Sequence, residues 1–213
     1  MKKATKKEIQ EIHKRFVERY DDAVTELAYK NAYELVVAVA LSAQCTDKRV
    51  NILTPPLFEA YPSPQELAQA NLDDVKKFIN SCSFFNNKAK NIIAMAQRVV
   101  EVYNGEIPMN EKELQTLAGV GQKTANVVMI EYTGANLMAV DTHVFRVAHR
   151  LGLSDDKTAI KTEATLVKKF KNDLYALHQG MVLFGRYICT AKNPKCEECF
   201  LTEFCKTKET FKV

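Results

Sequence analysis

With 213 residues the chain is long enough to bury a sizeable core, and at about 150 residues per domain it allows one domain or two small ones. Hydrophobic residues at 46% and charged residues at 26%, with only seven Gly and six Pro, exclude a disordered, collagen-like or mini-protein class. The net charge of +4 equals the surplus in residues 1–16 alone, six Lys or Arg against two Glu, so local motifs must carry any argument for a nucleic-acid partner.

The basic N-terminus, MKKATKKEIQEIHKRF, is not followed by the apolar stretch of a secretion signal. The longest apolar run, Leu35 to Leu41, is far short of the roughly 20 residues that span a bilayer. No membrane contact is expected. That run is rich in β-branched residues and could be a buried strand, but its Ala, Leu, Glu and Gln neighbours favour a core helix. Ser63-Pro64-Gln65-Glu66 reads as a helix start, with Ser63 as cap, Pro64 at the first helical position and Glu66 closing a capping box. Ile92, Ile93, Ala96, Val99, Val100 and Tyr103 recur at helical spacing and stop at Asn104-Gly105. The same periodicity predicts a helix over 142–151, ending before Gly152, and another from Leu174 to Phe184, ending before Gly185. Sustained strand alternation appears nowhere, so the fold is expected to be all-α.

Cys45 and Cys82 are isolated, whereas Cys189, Cys196, Cys199 and Cys205 crowd into 17 residues. Without a secretion signal, four crowded thiols argue for a metal centre before disulfides. Structural zinc commonly uses two short cysteine pairs, and only Cys196–Cys199 is short; iron–sulfur clusters accept more varied spacings. Both metals stay open on these grounds, with iron–sulfur favoured.

Leu117-Ala118-Gly119-Val120-Gly121-Gln122-Lys123 joins two expected helices in a helix-hairpin-helix pattern. The first begins at Asn110, with Glu113 completing a capping box, and the second places Ala125, Val128, Met129 and Tyr132 on one face. Glycines let the turn approach another surface closely, and the amides opening the second helix form an anion site suited to a DNA phosphate. The plainer reading is a tight turn between packed helices. Lys123 follows in the first helical turn. A lysine has an ordinary pKa of about 10.4, and a helix dipole worth about 0.3–1 kcal/mol cannot make it nucleophilic by itself. Burial or a neighbouring base must do that, and Asp141 is the candidate, although N-capping of the next helix is its plainer role. His143 is assigned no chemistry.

The ordered set Leu41-Ser42-Ala43-Gln44-Cys45-Thr46-Asp47, the hairpin, Ala139–His143 and the x6-x2-x5 cysteine loop resembles the endonuclease III family of DNA glycosylases, from about residue 20 to Cys205. The resemblance implies a two-domain fold, a six-helix barrel over 24–135 and an iron–sulfur cluster domain from 1–23 and 136–213. Lys123 becomes the nucleophile that forms a Schiff base with the sugar, Asp141 the residue that stabilises charge and handles protons, and the four cysteines the ligands of a [4Fe–4S] cluster. Gln44 and Phe84 become the residues that fill the space left by a flipped base, with Phe84 where the family usually has Leu and core packing as its alternative. Gly119, Val120 and Gly121 become phosphate contacts, as do Lys192 and Lys195, whose plainer reading is solvated lysines. Ala118 stands where Pro is common, and Cys45 replaces a small residue and is expected to pack inside. The implied partner is duplex DNA carrying oxidised pyrimidines or abasic sites, met by a monomer in the bacterial cytoplasm at the nucleoid. A monofunctional adenine-mismatch glycosylase and a non-catalytic DNA-binding module are the alternatives. The first generally lacks a lysine at the position of Lys123.

Overall fold

The computed structural model describes residues 2–207. Among the described residues eleven α-helices follow one another: α1 (Lys6–Tyr20), α2 (Ala32–Ser42), α3 (Asp47–Ala60), α4 (Pro64–Ala68), α5 (Leu72–Ile79) and α6 (Phe85–Tyr103). Then come α7 (Glu111–Leu114), α8 (Gln122–Thr133), α9 (Thr142–Arg150), α10 (Ala159–Phe170) and α11 (Leu174–Tyr187). No strand occurs among the described residues. The all-α expectation holds. Two compact units divide the chain, one spanning Thr25–Thr133 and the other combining the residues up to Val24 with those from Gly134 onward.

In the central unit, α2 is apolar almost all round. Leu35, Val36, Val37, Ala38 and Leu41 have no exposure, which marks a helix wrapped by neighbours rather than a surface helix. It packs against α3, α6 and α8, so the apolar run is the core helix. Each fully buried Leu or Val of this kind contributes about 1.5–3 kcal/mol of transfer free energy. Asn31 caps α2 by accepting from the Glu34 amide. Ser63 caps α4 as expected, and its hydroxyl also donates to the Glu66 carboxylate. At the end of α6, Asn104 turns left-handed, with φ of 54°, and Gly105 follows.

The other unit has its own core. Phe16 of α1 meets the Phe184 ring of α11 edge-on at 5.5 Å, and Phe200 packs on both rings at 5.6 and 5.2 Å. Val144, Val147, Leu166, Leu177 and Met181 complete the buried cluster. One helix boundary departs from the sequence expectation: α11 runs through Gly185 to Tyr187. Gly185 is therefore a packing residue and not a stop. A β-carbon there would stand 2.9 Å from the His143 Cβ, so only glycine lets α9 and α11 approach this closely.

Candidate functional site

The hairpin is built as its sequence requires. Asn110 caps α7 by accepting from the Lys112 and Glu113 amides at 3.0 and 3.3 Å, although that helix is only four residues long. Gly119 adopts φ of +79°, and an added β-carbon would press on the Asn91 side chain at 3.0 Å, so the turn itself needs this glycine. Gly121 differs. Nothing in the chain lies within 4 Å of where its β-carbon would be, and its φ is not positive. Val120 anchors the turn from inside, being 5% exposed with its amide donating to Leu117 O at 3.1 Å. Its amide is thus spent within the turn, and any phosphate contact falls to its neighbours. Lys123 stands exposed in the first turn of α8. The rest of α8 is buried more widely than one face, with Asn126, Val127 and Ile130 inside, whereas Tyr132 is exposed.

Gln44 and Phe84 share two unusual properties. Both are exposed, and both adopt left-handed backbone, with φ of 54° and 59°. Neither residue type favours that region, where Gly, Asn and Asp dominate. Phe84 opens α6 with no side-chain cap and is 63% exposed, whereas Phe85 turns partly inward. Lys88, unnoticed in the sequence, ties the two turns together. Its ammonium donates to Leu41 O at 2.8 Å and Ala43 O at 2.6 Å, just ahead of Gln44, from the first turn of the helix that Phe84 opens.

Asp141 is the N-cap of α9, its Oδ1 accepting from the His143 and Val144 amides at 2.8 Å each. Its plainer role is therefore real. Because both bonds fall on one oxygen, the cap does not depend on the other. Arg146, one turn along, is pulled down from the ordinary arginine range by burial and held up in part by Asp141.

Cys189, Cys196, Cys199 and Cys205 line one pocket with Arg150 and Lys195, and none forms a disulfide. Among the described residues no three His, Cys, Asp or Glu side chains close on a single metal ion. Four all-sulfur donors lining one pocket, with no nitrogen or oxygen ligand among them, suit a polynuclear iron–sulfur group. Burial raises the Cys196 and Cys199 thiols, a cost that binding to a cationic centre reverses. Arg150 braces the loop from α9. Its guanidinium donates to Cys189 Sγ at 3.3 Å, Thr190 O at 2.6 Å and Ala191 O at 3.1 Å, while Arg146 donates to Cys189 O at 2.9 Å and Gly185 O at 2.6 Å. Two arginines four apart on one helix were the only sequence signal for this brace. Lys192 and Lys195 are exposed on the loop, Lys195 with Glu198 at 3.8 Å.

Comparison with known proteins agrees with this construction. The model of the HhH-GPD superfamily of base excision DNA repair proteins matches residues 37–172, and that of the iron–sulfur binding domain of endonuclease III matches residues 189–205. Endonuclease III of Haemophilus influenzae is 42% identical over 200 residues, covering 93% of this chain and 95% of that protein. The Bacillus subtilis protein of the same name is 44% identical over 189 residues, covering 88% and 86%. A solved trapped endonuclease III–DNA covalent intermediate matches with a TM-score of 0.91 at 39% identity, covering 97% of this chain and 98% of the other. Hairpin, helical units and cysteine loop define a helix-hairpin-helix DNA glycosylase with a [4Fe–4S] cluster. The chain belongs to the endonuclease III family. It is a bifunctional DNA glycosylase and abasic-site lyase of base excision repair, and it binds DNA.

Proposed function

We propose that the substrates are oxidised pyrimidines and abasic sites in duplex DNA, that Lys123 is the nucleophile and Asp141 its charge-stabilising partner, and that the enzyme acts as a monomer at the nucleoid. A damaged base must leave the stack before its glycosidic carbon can be reached. Lys123 Nζ then attacks C1′ of the deoxyribose, the C1′–N bond breaks, and ring opening leaves a Schiff base. Loss of a C2′ proton expels the 3′ phosphate, and water hydrolyses the imine to free the enzyme. Asp141 stabilises the cationic sugar and takes up and returns protons. Gln44 and Phe84 fill the vacated space, Phe84 by stacking, and their exposure on left-handed backbone supports that role, since backbone strain held in place by its surroundings clusters at functional sites. Gly119 and Gly121, with Lys192 and Lys195, hold phosphates. The bound cluster, held by Cys189, Cys196, Cys199 and Cys205, supplies the cross-link that shapes the loop carrying both lysines.

One observation carries the catalytic reading: Lys123 stands exposed directly after a turn whose second glycine has no internal reason to be glycine. That open space supports the close approach of a DNA backbone at the start of α8, where Lys123 is exposed. Borohydride should trap the protein covalently on DNA containing thymine glycol or an abasic site, because reduction fixes the Schiff base. Lys123→Gln should abolish both the adduct and base release while still binding an abasic-site analogue. Asp141→Asn keeps the Oδ1 acceptor, so the protein should fold normally while turnover falls by orders of magnitude. An adduct surviving in Lys123→Gln would move the nucleophile elsewhere; unchanged turnover in Asp141→Asn would leave Asp141 a cap only.

A further inference from the structure

The apolar helix α2 ends without a cation of its own, since no basic residue stands in its last turn. The last carbonyls of a helix lack amide partners, and the negative end of its dipole favours positive charge. Neighbours in the chain meet part of that need, the Ser42 hydroxyl donating to Val39 O at 2.9 Å and the Cys45 amide to Ser42 O at 3.0 Å. The rest comes from α6. The Lys88 ammonium donates to Leu41 O at 2.8 Å, Ala43 O at 2.6 Å and Cys82 Sγ at 3.1 Å, and the Cys82 thiol donates in turn to Leu41 O at 3.3 Å. All three ammonium donors are thereby used, none on a carboxylate, and Lys88 is only 8% exposed. Its placement is costly twice over, because a buried ammonium gives up its hydration and the first turn of a helix repels a cation. Folding alone does not ask for it: Ala43 and Gln44 are exposed, where water can satisfy carbonyls. What the lysine adds is a fixed spacing. Its backbone amide donates to Phe84 O at 3.1 Å, so one residue is bonded at its amide to Phe84 and at its ammonium to the carbonyl just before Gln44.

We propose that Lys88 is the positioning residue for base extrusion, holding Gln44 and Phe84 at one spacing and in left-handed backbone before DNA arrives. This rests on the roles proposed above for those two residues. Opening a base pair costs free energy that contacts in the vacated space must return, and side chains that have to be ordered on binding return less of it. An abasic site has no base to unpair and asks less of them. Because its ammonium is buried beneath the two turns, Lys88 acts on the substrate only through them. The sugar chemistry assigned to Lys123 does not depend on it.

Lys88→Met keeps an unbranched apolar stem and removes every donor. In the holoprotein under single-turnover conditions, this variant should release thymine glycol paired with adenine at least tenfold more slowly, about 1.4 kcal/mol of transition-state stabilisation or more. Its borohydride trapping on a duplex with an abasic site should slow less than threefold. Equal losses on the two substrates, or no loss on either, would overturn the proposal and leave Lys88 a folding residue. If Lys88→Met does not fold, Lys88→Gln, whose amide keeps two donors on a shorter stem, goes through the same comparison with the same two outcomes. Gln44→Ala and Phe84→Ala, measured alongside, separate this proposal from the reading beneath it. Slowed release in those two variants with none in Lys88→Met sinks the positioning role alone. Full release in both sinks the roles of Gln44 and Phe84, and with them any action of Lys88 through those residues.

Discussion

At the scale of single residues, what each group touches separates chemistry from scaffolding. Asp141 is a cap that leaves room for the charge-stabilising role proposed for it, because a carboxylate has two oxygens and the cap occupies one. Arg150 is scaffolding, with one guanidinium satisfying the loop's carbonyls and a ligand sulfur together. Lys192 and Lys195 are exposed and carry no catalytic duty. If they neutralise phosphates, Lys192→Ala and Lys195→Ala should weaken binding to all duplexes alike and flatten the dependence of log K on log salt by about one unit each. Titrations at several salt concentrations measure this slope. An unchanged slope would return both to ordinary solvated lysines.

At the scale of elements, the two hairpin glycines answer to different masters. Gly119 is held by φ of +79° and the Asn91 side chain, so Gly119→Ala should destabilise the protein by about 1–3 kcal/mol, read as a lower denaturant midpoint. Gly121→Ala meets nothing inside the chain. Its stability should stay within about 0.5 kcal/mol of the parent while duplex binding weakens, since the new methyl group stands where a phosphate would approach. Equal loss of stability in both variants would make the hairpin a packing turn only.

At the scale of the whole molecule, the cysteine loop and the two units set how the protein responds to its surroundings. The purified protein should be brown with about four irons per chain, and Cys199→Ala should lose iron and soluble yield together, because binding the metal group is coupled to folding of the loop that supplies its ligands. Iron analysis of protein purified without air checks it. Acid–base response has one clear source in the central unit. Burial pushes the Glu131 carboxyl from 4.5 up to about 7, with the Thr25 amide at 3.2 Å as its partial compensation and Oε1 unpartnered. Because the folded form holds the proton more tightly, this group favours folding at low pH, and that contribution fades as pH rises from about 4.5 through about 7. Glu131→Gln should flatten this part of the stability profile in urea titrations at a series of pH values.

The all-α class and seven of the helices, α2, α4, α6, α7, α8, α9 and α11, were legible in the sequence, because helix caps and apolar periodicity act between residues three or four apart, whereas α1, α3, α5 and α10 were not read. Asn104-Gly105, Ser63-Pro64 and Asn110 are legible for that reason, as is the cysteine loop, whose ligands lie within 17 residues. Gly185 was misread as a stop because its reason lies on α9, more than forty residues away in the chain. Lys88 was invisible for the same cause: nothing local distinguishes a lysine destined for the carbonyls of α2 from a solvated one. The left-handed backbone of Gln44 and Phe84, the half-buried position of Cys45, which was expected to pack inside, and the Arg150 brace were likewise decided only by tertiary structure. Local chemistry writes the helices, whereas contacts between distant segments decide which exposed side chains are held in place and which polar ones are buried.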